Sequence, residues 1–250
     1  MVKNRIALVT GAGSKRGIGR AIALYMAKEG YDIVIADMDL NGAKEVAGEV
    51  SNLGRKSFAV EVNVADETSV KNMVDAVVKE MGRIDVLVNC AGITQPIKVL
   101  DTTLEDWNRI MTVNLTGTFL VTKAVLPTMI ANKWGRVINI SSVSGKRGGG
   151  VYGGAHYSAS KAGVLGFTKA LAREVVLDGI TVNAVCPGLI ATDIRKGLSE
   201  EKERESWKAI PMLRPGTAEE VACAVAFLAS EDAAYITGED IDVNGGSHMD

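Results

Sequence analysis

The stretch that decides the fold is Ile6-Ala-Leu-Val-Thr-Gly-Ala-Gly-Ser-Lys-Arg-Gly-Ile-Gly19, which passes directly into a helical pattern over residues 20–29. Its apolar beginning predicts a buried strand, and its glycines allow the backbone to turn tightly before the helix. A pyrophosphate would meet free N–H groups at such a helix start. Arg16 stands where a G-x-G-x-x-G motif would have its third glycine, so a plain turn is the alternative interpretation.

The rest of the chain alternates short apolar runs with longer stretches of helical period, without repeats or linker-like segments. The apolar runs predict strands at 6–9, 33–36, 58–62, 86–89, 137–140, 181–185 and 241–243. Helices are predicted at about 17–30, 41–53, 67–82, 104–131, 156–177 and 217–229. This order indicates the α/β class, with a single-domain Rossmann-type doubly wound parallel sheet of about seven strands over residues 1–250. Helices on both faces would complete a three-layer α/β/α sandwich.

Composition excludes several kinds of protein. Of the 250 residues 47% are hydrophobic and 23% charged, and the formal net charge is -2, without the basic surplus of a nucleic-acid binder. The start does not resemble a signal peptide, and no apolar run approaches the ~18 residues of a membrane span. We therefore expect a cytoplasmic protein without nucleic-acid or membrane partners. Cys90, Cys186 and Cys223 are expected to be buried thiols, and with two histidines no metal site is expected.

A carboxylate, Asp37, follows the second predicted strand. At this position of a dinucleotide-binding fold it would accept hydrogen bonds from the adenosine ribose and repel a 2′-phosphate, which favours NAD(H). Capping of the next helix is the alternative role, although Asp39 is also placed to do it. Lys15 and Arg16 favour the other cofactor, because cations near the loop would receive a 2′-phosphate. We expect NAD(H), with NADP(H) as the alternative.

A second chemical pattern is Tyr157-Ser-Ala-Ser-Lys161, at the start of a predicted helix. The spacing of four residues puts the phenol and the ammonium on one helical face. A nearby cation favours the phenolate and makes a tyrosine usable as an acid or base. A lone Tyr-x-x-x-Lys is common by chance, and the alternative is an exposed surface pair.

With these motifs in place, the sequence resembles the short-chain dehydrogenase/reductase family over nearly its whole length. The segments that carry the resemblance are Thr10-Gly11…Gly17-Ile18-Gly19, Asn89-Cys90-Ala91-Gly92, Val113-Asn114-Leu115, Ile140-Ser141-Ser142, Tyr157…Lys161, Pro187-Gly188 and Asp242-Val-Asn-Gly-Gly246. Each segment is weak alone, whereas their occurrence together and in order is specific.

The resemblance implies four catalytic residues, Asn114, Ser142, Tyr157 and Lys161. Tyr157 would act as general acid and base, and Ser142 would hold the substrate oxygen. Lys161 would lower the pKa of the tyrosine and bind the nicotinamide ribose. Asn114 would support a proton-relay water. Ser141 is expected to be a hydrogen-bonded hydroxyl at the strand end instead.

The resemblance also implies cofactor contacts from the loops that follow the strands. They are Gly11, Arg16, Gly17, Ile18, Gly19, Asp37, Asn63, Val64, Asn89, Ala91, Gly92, Tyr157, Lys161, Pro187, Gly188, Ile190 and Thr192. The chain departs from the family pattern in four places. The glycine loop is two residues longer, and the segment between Ser142 and Tyr157 is slightly long and rich in glycine. Cys90 replaces the second asparagine of N-N-A-G, and Asn63 replaces the adenine-side aspartate. Neither of these two replacements touches the implied proton chemistry.

We therefore expect an NAD(H)-dependent oxidoreductase that interconverts a secondary alcohol and a ketone on a small polar substrate. The alternatives are an NADP(H)-dependent ketoacyl-type reductase and a non-catalytic dinucleotide-binding regulator. A substrate cover is expected at about 190–215, and Tyr152 is expected at the substrate entrance. Lys146 and Arg147 follow Ser142 closely and would either bind an anionic substrate or face solvent. The family resemblance implies a homotetramer.

Overall fold

A computed structural model describes residues 5–149, 153–192 and 207–250. Its centre is a seven-stranded sheet in the order β3-β2-β1-β4-β5-β6-β7, in which every pair of neighbouring strands is parallel. The strands are β1 Ile6–Thr10, β2 Asp32–Asp37, β3 Ser57–Glu61, β4 Val86–Asn89, β5 Gly135–Ile140, β6 Ile180–Pro187 and β7 Asp240–Val243.

Helices cover both faces of the sheet. They are α1 Ile18–Lys28, α2 Leu40–Asn52, α3 Glu67–Met81, α4 Leu104–Met111, α5 Gly117–Asn132, α6 Val143–Arg147, α7 Ala155–Val175 and α8 Ala218–Ala229. One apolar core joins the sheet to α1, α2 and α8, and a second joins it to α3, α5 and α7. Short 3-10 turns lie at Val99–Asp101, Val176–Asp178 and Glu231–Ala233. The predicted Rossmann-type three-layer fold is confirmed.

The strands are buried for the reason that the sequence pattern suggested. β1 and β5 are buried at every position, because helices pack on both faces of a parallel sheet. The strand order reverses between β1 and β4, so the crossovers leave the sheet in opposite directions there. A crevice outside the carboxyl ends of the strands follows from this reversal, and ligands bind in such crevices.

The predicted helix over 104–131 is divided into parts. A π-helical turn, Thr112–Thr116, separates α4 from α5. Such turns are rare and often lie at functional sites. The apolar periodicity of the sequence does not predict this one. The five-residue helix α6 also lies outside the predicted elements, because a glycine-rich segment of that length has no usable period.

The stretch Leu104–Asn132 is, by length and composition, the one described helix that could cross a membrane. The sequence predicts one long helix here but no long apolar run, because charged residues such as Glu105, Asp106 and Lys123 interrupt the apolar ones. In this fold α5 packs on β4, β5 and α3. The core helix of a globular α/β sheet passes the same test.

The three cysteines are free thiols with different exposure. Cys186 is buried on β6, Cys90 is half-buried, and Cys223 is exposed on α8. The expectation of a buried thiol is therefore wrong for Cys223, which lies on the outer face of a helix whose other side packs against the sheet.

Candidate active site

A cavity of about 430 Å³ opens at the carboxyl ends of the strands. It is lined by the loop after β1, the ends of β4, β5 and β6, helix α6, the start of α7, and residues near 210 and 247. The predicted site residues among them are Gly11, Gly17, Ile18, Gly19, Gly92, Ser142, Tyr157, Lys161, Pro187, Gly188, Ile190 and Thr192. The fold thus brings twelve sequence-predicted residues to one cavity.

The loop after β1 has glycine where backbone meets backbone. Gly11 has φ +66°, and a Cβ there would lie 2.6 Å from the Cα of Ala91. A Cβ on Gly19 would lie 2.4 Å from the carbonyl oxygen of Gly11. The first turn of α1 therefore packs directly under the loop, which is the cradle that a pyrophosphate needs.

The same loop is tied to the end of β4 through Thr10. Its Oγ1 accepts hydrogen bonds from the amide N–H groups of Cys90, at 3.1 Å, and Ala91, at 3.2 Å. Ala91 therefore supports the loop from behind, and the cavity wall on this side is formed by Gly92.

Asp37 lies at the end of β2 beside the glycine loop. Its carboxylate accepts hydrogen bonds from the N–H groups of Gly13, at 2.8 Å, and Asp39, at 3.0 Å. Asp39 caps α2, so Asp37 is not needed for that role. Two carboxylate oxygens have about four acceptor positions, so two remain for a ribose. The Lys15 ammonium is 3.0 Å from Glu45 and is not directed to Asp37.

The other adenine-side candidates lie near Asp37 but outside the cavity. Val64 is buried against Gly117, where a Cβ would lie 2.9 Å from its side chain. Asn63 is exposed, and its Oδ1 accepts a hydrogen bond from the N–H of Ala65 at 3.1 Å. Arg16 is exposed at the crest of the glycine loop and does not line the cavity.

Ser142 and Tyr157 meet inside the cavity. Ser142 is the N-cap residue of α6, and its Oγ accepts a hydrogen bond from the N–H of Ser144 at 3.1 Å. Burial raises the pKa of Tyr157 above its usual value, and the hydrogen bond between its phenol and Ser142 opposes that shift. Gly153 lies on the tyrosine ring, where a Cβ would be 2.6 Å from Cδ1.

Lys161 lies beside Tyr157 and is held by the backbone of β5. The Lys161 Nζ lies 5.9 Å from the centre of the tyrosine ring and donates a 2.8 Å hydrogen bond to the carbonyl of Ile140. The net pKa shift of Tyr157 is upward, so the phenol is protonated at neutral pH. Burial is the main cause of this upward shift, and the hydrogen bond with Ser142 offsets it only in part.

Lys161 is itself a perturbed group. Burial lowers the pKa of its ammonium to about 8, since little water reaches the side chain, which is 5% exposed. At neutral pH it still carries most of its charge. Burying a cation costs free energy, and a buried cation with a shifted pKa in the wall of a cavity is typical of functional sites.

The two serines after β5 have different partners. The Oγ of Ser141 donates to the carbonyl of Lys161 at 2.9 Å and so fixes the first turns of α7 to the sheet. Ser142 forms a hydrogen bond with the phenol of Tyr157.

Asn114 lies in the π turn and is fully buried. Its side chain donates to the carbonyl of Ile93 at 2.9 Å and to Ser160 Oγ at 3.1 Å, and accepts from the N–H of Ile93 at 2.8 Å. A Cβ on Gly92 would lie 3.3 Å from Asn114 Oδ1 and 3.4 Å from Lys161 Nζ. The asparagine therefore lies just behind the lysine and positions the loop after β4.

Asn89 does not line the cavity. Its Nδ2 donates to Thr122 Oγ1 at 2.8 Å and to Asn139 Oδ1 at 2.9 Å, between β4, β5 and α5. This is a scaffold role, and the side chain is 4% exposed.

Lys146 is not available to a substrate. Its Nζ lies 2.9 Å from Asp240, 3.0 Å from Asp242 and 2.6 Å from Asp250, and its side chain is buried. Burial alone would lower its pKa, but the hydrogen bonds with the three carboxylates outweigh burial and raise it. The hypothesis that both cations bind substrate is therefore wrong for Lys146.

Asp242, His248 and Asp250 form the one group of metal-ligand type in the described part of the chain, with ligand atoms within 4.8 Å. The ammonium of Lys146 contacts two of these carboxylates, which accounts for the cluster without a metal.

Some lining residues are not named individually by the sequence analysis. Ile93 and Thr94 directly follow the N-C-A-G run, and Ala209 and Ile210 lie within the expected substrate cover at 190–215. Ser247 lies near the end of the chain, and no sequence pattern placed it at the cavity. The expected cover at 190–215 is described only at its ends, where Ile190 forms a parallel bridge with Gly216. Its middle, like Tyr152, lies outside the described residues.

The buried charge of Lys161 leads to a stability prediction. A folded pKa of about 8, below the unfolded value of 10.5, means that charge burial opposes folding below pH 8 and ceases to do so above the unfolded pKa. Removing the charge and its hydrogen bond should therefore stabilise Lys161→Met by about 2 kcal/mol at neutral pH. Denaturant unfolding at pH 7 and pH 10 measures this. The gain should shrink at the higher pH, and a variant less stable than wild type at pH 7 contradicts it.

Comparisons with known proteins agree with this architecture. A family model described as enoyl-(acyl carrier protein) reductase matches residues 11–248. An uncharacterised short-chain type dehydrogenase/reductase of Sinorhizobium fredii is 46% identical over 98% of both chains. The 3-oxoacyl-(acyl-carrier-protein) reductase of Aquifex aeolicus is 47% identical over 98% of both, and that of Escherichia coli is 44% identical over 99% of this chain and 98% of its own.

These matches span the glycine loop, the Ser142–Tyr157–Lys161 site and the last strand of the sheet. Members of the family bind a nicotinamide dinucleotide and oxidise or reduce at a CH–OH carbon. The chain is therefore a member of the short-chain dehydrogenase/reductase family and an oxidoreductase.

Proposed function

We propose that the protein is an NAD(H)-dependent oxidoreductase that interconverts a secondary alcohol and a ketone on a small polar substrate. The observation that carries this proposal is the meeting of Ser142, Tyr157 and Lys161 in one cavity with a glycine-built cradle. A serine hydroxyl and a phenol in contact are two donors for one oxygen atom. That is the arrangement needed to hold a carbonyl or a hydroxyl group.

The residues of the glycine loop, with Ile190 and Thr192 opposite, fit a dinucleotide, which supplies or accepts the hydride when bound. In the reducing direction, the protonated phenol of Tyr157 donates its proton to the oxygen as negative charge develops there. Ser142 donates a hydrogen bond to the same oxygen and orients the reacting carbon. In the oxidising direction, Tyr157 takes the proton back from the hydroxyl.

Lys161 contributes a positive charge at the wall of the cavity. This charge favours the phenolate that remains after proton donation, because opposite charges attract strongly where water is scarce. Asn114 positions the loop after β4 against the lysine, so its contribution to the reaction is exerted through Lys161 and Gly92. The protonated state of Tyr157 at neutral pH suits ketone reduction.

Asp37 is the observation behind the NAD(H) preference. A 2′-phosphate at the end of β2 would face a carboxylate that already accepts two N–H groups, and unlike a ribose hydroxyl it cannot donate to it. Lys15 is paired with Glu45. Arg16, exposed at the crest of the same loop, is a cation that would favour NADP(H).

A second candidate is reduction of a 3-oxoacyl thioester. It is favoured by the names of relatives that are 44–47% identical over nearly the whole chain. Both candidates use the same proton donor and differ in what fills the cavity beyond the reacting carbonyl.

We also propose a cytoplasmic location, because all three cysteines are free thiols, as expected in a reducing compartment.

Tyr157→Phe tests the chemistry. The variant keeps the ring and loses the proton donor, so the rate of NADH oxidation should fall about 10²-fold or more while NADH affinity changes little. The substrates are a panel of hydroxyketones, keto sugars and an acetoacetyl thioester, followed by absorbance of the reduced nicotinamide. Near-normal turnover of the variant removes the assignment. A thioester kcat/KM far above that of every small ketone selects the second candidate, and NADH binding without turnover of any substrate contradicts both.

Cofactor preference is tested by kcat/KM with NADH and NADPH. Wild type should prefer NADH at least about tenfold. Asp37→Asn keeps the shape of the side chain but removes its negative charge and one acceptor oxygen, so it should narrow the ratio of kcat/KM for NADH to that for NADPH. The matched control is Lys15→Gln, which should leave the ratio unchanged because the lysine serves Glu45. Equal or better use of NADPH by wild type contradicts the preference.

We propose a symmetric homotetramer, because large apolar side chains are exposed along the 104–131 and 156–177 helical regions. They include Trp107, Phe119, Ile130, Val176 and Leu177. Burying such surface between copies is favourable. Light scattering at micromolar concentration should give four times the 26.4 kDa chain mass, and Phe119→Glu should lower it. A monomer at that concentration contradicts the assembly.

A further inference from the structure

Arg147 is the feature of the cavity that the proposed reaction leaves unused. It is the last residue of α6, whose N-cap is Ser142, and it lines the cavity. A helix rise of about 1.5 Å per residue puts its Cα roughly 7 Å along the axis from that of Ser142. A charged group held by Arg147 would therefore lie several bonds from a carbonyl held by Ser142.

The charge of Arg147 has no carboxylate partner among the described residues. In the described part of the chain its guanidinium forms no ion pair, and its hydrogen bond is to the carbonyl oxygen of Ser247 at 2.7 Å. Lys146, the preceding residue, has three carboxylate partners. Lys146 is therefore occupied by ion pairs within the protein. Arg147 is held through one nitrogen, and its other N–H groups have no partner among the described residues.

The described wall of the cavity is positively charged. Among the described residues that line it none has a carboxylate, while Lys161 and Arg147 bring two cations. Lys161 lies at the reacting end, beneath Tyr157. The glycine loop that would receive the cofactor pyrophosphate is built on β1 and α1, whereas Arg147 is on α6 beside Ser144 and Ser247. The positive charge of Arg147 is therefore placed to contact the substrate and not the cofactor pyrophosphate.

We propose that Arg147 is a specificity-determining residue that binds a carboxylate on the substrate, so that the preferred substrates are oxo acids and hydroxy acids with the acid several bonds from the reacting carbon. This rests on the proposed function and names its substrate class. A guanidinium suits the role because it stays charged at all relevant pH values and grips a carboxylate with two parallel hydrogen bonds. Binding would add no step to the reaction and would orient the carbonyl toward Ser142 and Tyr157.

The test uses acids and their neutral methyl esters as matched probes. Acetoacetate, 4-oxopentanoate and 5-oxohexanoate, each beside its ester, are titrated by calorimetry into protein saturated with NAD⁺, with which a ketone cannot react. Wild type should bind the best acid about tenfold more tightly than its ester, and Arg147→Gln should bring the two to parity. Arg147→Lys should recover part of the ratio. The control variant Lys79→Gln removes one charge from the exposed face of α3 and should leave the acid-to-ester affinity ratio at its wild-type value.

Three results would overturn the proposal. The first is an acid-to-ester ratio that Arg147→Gln leaves unchanged, and the second is no measurable binding of any acid to wild type. The third is a fall in NADH affinity in Arg147→Gln, which would assign the arginine to a phosphate of the cofactor. Steady-state rates with NADH separate this inference from the proposed function. Turnover of neutral ketones with no preference for acids removes the carboxylate site alone, whereas no turnover of any ketone removes the reaction.

Discussion

The close contact between the end of β1 and the end of β4 is the constraint on which the site depends. Gly11 turns with positive φ so near Ala91 that no side chain fits between them, and Thr10 holds the Cys90–Ala91 peptides by its hydroxyl. These strands are neighbours because the sheet reverses its order there. One contact therefore closes the floor of the crevice and fixes the distance between the glycine loop and the wall that carries Lys161.

Above this floor, the catalytic side chains are held by groups that do not react. The hydroxyl of Ser141 donates a hydrogen bond to the carbonyl of Lys161 and so holds α7 against β5. The carbonyl of Ile140 accepts a hydrogen bond from the ammonium of the same lysine. Asn114, in its π turn, holds the loop after β4 against the same lysine. The arrangement keeps a cation buried with a depressed pKa, which costs stability and supplies charge where a phenolate forms.

The C-terminal segment takes part in the substrate side of the cavity. Three aspartates near the end of the chain neutralise Lys146, and the carbonyl of Ser247 orients Arg147. Helix α6 is thereby anchored at its C-terminal end while Ser142 begins it. A short helix of five residues has little stability alone, so these long-range contacts position both the oxygen-binding serine and the arginine.

The sequence by itself determined the layers, the seven strands and twelve of the residues that line the cavity, because period and glycine placement are local properties. It did not show that Asn89 and Val64 are turned into the core instead. Tyr157 and Lys161 were found the same way, since a spacing of four residues puts both side chains on one helical face. What only the tertiary structure decided was which groups meet across distant segments. Lys146 and Arg147 are adjacent and chemically alike, and only the arrival of Asp240, Asp242 and Asp250 separates their roles. The upward shift of the Tyr157 pKa also comes from the tertiary structure, because burial depends on packing from every side and not on neighbours in the chain.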